Sequence, residues 1–147
     1  MLILRDRIFT RRDKLNNSDY LDNELNDLGL SVSIDLQRTK KFNQQYINQS
    51  PSNKDIIKNL IKDIKLGYYY EDGPNNGDTH WLKDFSHKDS HLMSKHINYS
   101  DRLNYRIYRP TIELDENGQP LQKQTLKIVL ESCEGHNRNG VEKHYSN

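Results

Sequence analysis

Six histidines are the side chains of this chain best suited to moving protons, and they fall into two groups. His80, His87, His91 and His96 lie in the middle, while His136 and His144 stand in the closing stretch CEGHNRNGVEKHYSN, where Tyr145 follows His144. Basic groups suited to phosphate accompany them. Lys95, Arg102 and Arg106 are spread through HLMSKHINYSDRLNYRIY, interleaved with Tyr99, Tyr105 and Tyr108. Arginine clamps phosphate through paired hydrogen bonds, and tyrosine stacks on a base or donates its hydroxyl. Arg102 and Arg106 share a face if both lie in one strand. Cleaving RNA asks for a base at the 2′-hydroxyl, a cation near the phosphorane and an acid at the 5′-oxygen. Histidine and arginine supply these without a metal. The plain alternative is a solvated sheet face, with His87 and His91 as loop histidines. A metal site is a further reading of the four central histidines, but they form no HExxH and Cys133 stands alone, without a cysteine knuckle.

These residues need elements to position them. MLILRDRIF reads as a short strand and TRRDKLNN as a polar loop. SDYLDNELNDLG reads as a short helix, capped by Ser18 or Asp19, with Leu21, Leu25 and Leu28 on one face and Gly29 as its stop. LSVSIDL, residues 30–36, has the β-branched content of a strand. Residues 37–48 form a polar helix candidate with Phe42 and Tyr46 four apart, and Ser50 or Ser52 caps the next helix. In that helix, NKDIIKNLIKDIKLG, an apolar stripe of Ile56, Ile57, Leu60, Ile61 and Ile64 opposes Lys54, Lys58, Lys62 and Lys65, and Gly67 ends it. YYYEDGPNNGDTH is irregular, and WLKDFSHKDSH has no clear periodicity. Three strand candidates follow: HLMSKHI, RLNYRIYRPTIEL and LQKQTLKIVLES. DENG between the last two signals a hairpin, because Asn117-Gly118 tolerates positive φ. Leu126, Ile128 and Leu130 face one way, Lys127 and Val129 the other. The pattern is α+β, an antiparallel sheet with helices on one face.

The chain has 147 residues, enough for one modest core, with 33% apolar and 29% charged residues. Its net charge of +1 excludes a polycation, so nucleic acid could be held only by a local basic face. Residues 31–66 carry seven Lys or Arg against three acids, whereas residues 67–120 carry six against nine. A single cysteine suits a reducing cytosol, and no run is long and apolar enough for a membrane helix or a signal peptide.

From about Leu30 onward the chain resembles the YoeB-type toxins of the RelE/ParE superfamily, small ribosome-associated mRNA interferases. The resemblance rests on LSVSIDL, the helices through IIKNLIKDIKLG, and LKDFSH. It is strongest in MSKHINYSDRLNYRIY, which is similar to the family's serine-basic-basic-isoleucine strand, polar turn and Arg-Leu-x-Tyr strand, and it resumes in LKIVLESCEGH. It implies a RelE/ParE-like α+β fold over residues 30–147, with two helices on a twisted, mainly antiparallel sheet. Residues 1–29 have no counterpart and form an additional N-terminal element.

The implied activity is metal-independent cleavage of mRNA in the ribosomal A site through 2′-hydroxyl attack. The implied partners are mRNA, the ribosome and a cognate antitoxin, with a homodimer open and no membrane, in the cytoplasm and without a cofactor. By position, Arg102 matches the phosphate-stabilising arginine. Lys95 and His96 match the basic strand pair, and Lys83 a basic loop residue; Arg106 joins them as an RNA contact. Two positions depart from the pattern. His80 stands where these toxins carry a glutamate proposed as general base, and Glu71 matches nothing. The closing His-Tyr is divided: His136 holds the Cys-x-x-His register but precedes Asn137, while the intact pair is His144-Tyr145, beyond NRNGVEK. A catalytically weak or inactive interaction module and a ParE-like gyrase inhibitor are the alternatives.

Overall fold

The structure, a computed structural model, describes residues 15–75 and 78–135. The N-terminal strand expected in MLILRDRIF, the NRNGVEK insertion, and the candidate residues His136, His144 and Tyr145 lie outside the described residues.

Among the described residues, three α-helices and five strands make an α+β fold. The helices are α1 (Asn23–Asp27), α2 (Lys40–Ile47) and α3 (Pro51–Lys65). The strands are β1 (Ser31–Arg38), β2 (Thr79–Trp81), β3 (Ser90–His96), β4 (Arg102–Tyr108) and β5 (Lys123–Ser132). They form one mixed sheet of order β1-β5-β4-β3-β2. β1 runs parallel to β5, with Ser31 opposite Lys123 and Arg38 opposite Leu130. The other three pairings are antiparallel, and a register shift interrupts β4 and β5 at Asn104/Tyr105.

Local chemistry explains the helix ends. Ser50 caps α3 by accepting from the Asn53 N–H at 3.2 Å, and Pro51 occupies its first turn. Thr39 Oγ1 accepts from the Phe42 N–H at 2.9 Å and donates to the Glu131 carbonyl at 2.9 Å, so the cap of α2 is also tied to β5. Phe42, Ile57, Leu60, Ile61 and Ile64 close over Leu103, Tyr105 and Ile107 of β4 and Leu126, Ile128 and Leu130 of β5. Full burial of each such aliphatic side chain contributes roughly 1.5–3 kcal/mol. The apolar stripe of α3 and the alternation of β5 thus fall where their periodicity places them.

Other elements differ from the sequence reading. The short N-terminal helix breaks into a 3₁₀ turn at Asn17–Asp19 and the five-residue α1; neither carries a side-chain cap, and Leu28 is exposed. The strand expected to run through RPTIEL stops at Tyr108. DENG instead closes a short excursion bridged at Leu114 and Pro120, where Asp115 Oδ1 accepts from the Asn117 and Gln119 N–H groups. Gly118 takes the positive φ of 79° there, and Asn117 does not. β2 was hidden in a stretch without periodicity. Among the described residues no helix is long and apolar enough to cross a membrane.

Candidate functional site

The helices cover one face of the sheet. The strand registers assemble a polar row on the other. His96 lies opposite Arg102, Ser94 opposite both Asn104 and His80, and Leu92 opposite Arg106. Across β4 and β5, Asn104 Nδ2 donates to Ser132 Oγ at 2.9 Å, and Arg106 Nε pairs with Glu131 Oε2 at 3.3 Å. All of these except His96 are buried. A buried polar face of this kind requires partners for each group.

Asp78 organises the edge of the row. Its Oδ1 lies 2.7 Å from His80 Nε2 and its Oδ2 lies 2.8 Å from His96 Nδ1, so one carboxylate bridges two imidazoles. Burial works against its charge, but His80 and His96 beside it outweigh burial and hold its carboxyl below the usual carboxylate range. Its φ is 66°, a left-handed backbone that aspartate tolerates better than most residues. With Asp78 charged, both rings donate N–H to it; His96 therefore carries hydrogen on Nδ1, and Nε2 is its basic nitrogen. The His96 side chain is 33% exposed against 7% for His80, so His96 is the imidazole of the pair that solvent reaches.

The arginines are built into the fold. Arg102 Nη1 donates to the carbonyls of Asn98 at 2.7 Å, Tyr99 at 3.2 Å and Asp101 at 3.0 Å, locking its cation under the β3–β4 turn. Its backbone N–H donates to Gly135 O at 3.1 Å, and Gly135 N–H donates to Asp101 Oδ1 at 2.8 Å. Gly135, the last described residue, is therefore fastened beside Arg102. Arg106 donates to Ser90 Oγ at 2.8 Å and to Phe85 O at 3.0 Å as well as reaching Glu131. It staples the loop after β2 across the sheet.

Two of the expected RNA contacts are thereby corrected. Arg106 is 3% exposed with its charge met by Glu131, and does not face solvent. Lys95 is fully buried on the opposite, helix-side face, where Nζ donates to Glu71 O at 2.8 Å and Thr79 Oγ1 at 2.9 Å. Burial lowers its pKa to about 8, although Asp72 and Asp63 favour the charge. Strand alternation explains the separation: in β3, His96 shares a face with Ser94, and Lys95 cannot. Lys83 is exposed in the 3₁₀ turn Lys83–Phe85. His87 is an exposed loop residue, whereas His91 is buried with Nδ1 2.8 Å from Tyr70 Oη, so only the first is the loop histidine expected. Of the three interleaved tyrosines, Tyr99 is exposed, Tyr105 is buried, and Tyr108 lies under Lys127 Nζ, 4.9 Å from the ring centroid.

The structure thus brings together Arg102, His96 and His80, and sets Lys95 apart. Asp78, Ser94, Asn104, Ser132 and Glu131 are site residues that sequence reasoning missed. Their signal was the even spacing of 78, 80 and of 94, 96, and of 102, 104, 106, readable only once β2, β3 and β4 are paired. Cys133, next to this region, is buried, and burial above all, with Glu134 and Asp101, pushes its thiol up to about 12. Among the described residues no group of three or more His, Cys, Asp or Glu side chains is disposed to hold a metal ion. Comparison with protein-family models, with curated proteins and with solved structures finds no match.

Proposed function

We propose that this chain is a metal-independent endoribonuclease of the YoeB-like kind in the RelE/ParE superfamily, cleaving mRNA in the ribosomal A site and held in check by a cognate antitoxin. The observation that carries the reading is the placement of His96 directly opposite Arg102 on one sheet face, with Asp78 orienting the ring. In the proposed reaction His96 Nε2 takes the proton of the 2′-hydroxyl, whose oxygen attacks the adjacent phosphorus. Arg102 offsets the charge that develops on the phosphorane. The bond to the 5′-oxygen breaks, that oxygen takes a proton from a second acid, and a 2′,3′-cyclic phosphate remains. The resemblance assigns the acid to the tail, to His136 or His144; His136 follows Gly135 directly in the sequence. This arrangement moves His96 from RNA contact to proton carrier and makes His80 its partner across Asp78.

A second reading is favoured by a specific observation: the charges of Arg106 and Lys95 are satisfied inside the protein, and Arg102 is engaged with three carbonyls. A domain of this construction serves equally as a binding module without turnover. The test is cleavage of free and ribosome-bound mRNA by the full chain in the presence of a chelator, with the product ends analysed. Activity leaving 2′,3′-cyclic phosphate is expected, with His96→Ala reducing the rate by about 10²-fold or more, the scale of acid–base catalysis. Asp78→Asn should shift the pH–rate profile. No cleavage by the parent chain on either substrate sinks the enzyme reading and leaves the binding module.

A further inference from the structure

On the far side of the sheet's edge from the polar row, the segment around residues 20–30 meets the loop that follows α3. Two cavities of about 260 and 360 Å³ lie there, and Tyr20, Tyr70 and Glu71 line both. Asp22 and Tyr69 also line the larger one, with Asn26, Leu30, Val32 and Gly67. Tyr20 and Tyr70 stack at 4.0 Å between centroids with their planes 4° apart, and Tyr69 meets Tyr70 edge-on at 5.7 Å. Three tyrosine rings and two carboxylates share this wall with the aliphatic Leu30 and Val32.

Asp22 points to an occupant. It is 4% exposed; Oδ2 accepts from the Tyr69 hydroxyl, and Oδ1 has no hydrogen-bond partner among the described residues. A buried carboxylate oxygen without a donor is costly, and a donor from a ligand would relieve it. Among the described residues, those lining the larger cavity include the acids Asp22 and Glu71 and no lysine, arginine or histidine. The smaller adds Asp72, again without a basic residue among the described residues. The nearby buried cation, Lys95, is bonded to the Glu71 carbonyl and to Thr79 Oγ1. Burial, then Glu71 and Asp22, raise the pKa of the Tyr20 hydroxyl, which keeps it neutral beside those carboxylates.

We propose that the cavity bounded by Tyr20, Asp22, Tyr69, Tyr70 and Glu71 binds an organic cation, a guanidinium or alkylammonium group, its charge met by the two carboxylates and its body packed against tyrosine. Tyrosine faces attract such cations when water is excluded, and a volume of 360 Å³ suits the end of an arginine side chain or a polyamine better than a lone ion. The chemistry is common to a free amine and to a side chain carried by a peptide.

Calorimetric titration of the full chain tests the site, with L-arginine amide, spermidine and a blocked Gly-Arg-Gly peptide as cations and citrulline amide as the neutral control. At least one cation is expected to bind, and citrulline amide to bind at least about tenfold more weakly than arginine amide where that cation binds. Peptide binding as tight as that of the amide identifies a protein-borne side chain as the ligand; binding of the amide or spermidine without the peptide identifies a free amine. Glu71→Gln, at an exposed position, should weaken binding about tenfold with the melting temperature unchanged, and Asp22→Asn should weaken it further if that variant folds. Absence of heat with all three cations overturns the proposal. So does citrulline amide binding as tightly as the cations, or Glu71→Gln binding like the parent.

Discussion

Lys95 carries its charge where water does not reach it, and this has a measurable cost. Its folded pKa of about 8 lies below the unfolded 10.5, with burial as the main cause. Between these values the unfolded chain holds more protons than the folded one, so stability rises with pH through that window. Below about 8 both states are charged and the folded state carries the full penalty. At 1.36 kcal/mol per pKa unit the rise amounts to about 3 kcal/mol. Lys95→Met should therefore equal or exceed the parent in stability at pH 7, and the parent should gain on it by pH 9.5. Urea unfolding of both proteins at the two pH values measures the difference, with the buried tyrosines common to both. Parallel stabilities would show that the ammonium costs nothing where it sits. Arg106, also buried, differs because Glu131 offsets its charge; substituting it removes a cation that this buried carboxylate pairs with.

At the scale of elements, the loop after α3 is held by a carboxylate inside a helix. Asp63, fully buried, accepts from the Asn75 N–H at 3.0 Å and from Asn75 Nδ2 at 2.7 Å. Gly73 packs so closely on it that a Cβ there would fall 2.5 Å from the Asp63 carboxyl carbon. Gly73→Ala should destabilise the chain by roughly 1–3 kcal/mol, the usual cost of overpacking, and loosen the Glu71 carbonyl that receives Lys95. A thermal melt of this variant, matched to the parent's, would show that the loop yields freely. Helix α3 was legible because its stripe and its Ser50 cap act within one element. β5 was legible because its outward residues meet water. β3 and β4 were not readable by face, because Ser90 to Lys95 and Arg102 to Ile107 are buried on both sides and polarity no longer alternates. β2 has three residues, too few for a period. The candidate site followed the same logic: Arg102 and His96 were visible as residue types, while Asp78 became visible only through pairing across strands.

For the whole molecule, acid should act in two stages. The Leu21 N–H donates to Tyr70 Oη at 3.0 Å, and that hydroxyl sits 2.8 Å from His91 Nδ1, joining the N-terminal segment to the sheet. Burial lowers the pKa of His91, with Arg109 and Arg106 adding to the effect against Asp19. A depressed folded pKa means stability that is present above 6.5 and lost as pH falls through the folded value, because protonation favours the unfolded chain. Asp78, held below 3.8, adds a second loss at lower pH. Melting temperature followed from pH 7 to 3 should fall first below 6.5 and again below 3.8, and His91→Phe should remove the first fall. A flat profile down to pH 5 would argue that the histidine is not held neutral.

The parallel pairing of β1 with β5 also sets a clock. Ser31 finds its partner in Lys123, so β1 and both long helices are made well before the strand that β1 needs exists. At synthesis rates of about 5–20 residues per second the interval is on the order of 5 to 20 seconds. During it β1 lacks its strand partner, and the apolar stripe of α3 lacks Leu126, Ile128 and Leu130, the β5 part of the surface it covers. Chains cut short before residue 123 would remain in that state, exposed to aggregation and proteolysis. The dose of functional protein in a cell is then set by completed synthesis as well as by its start.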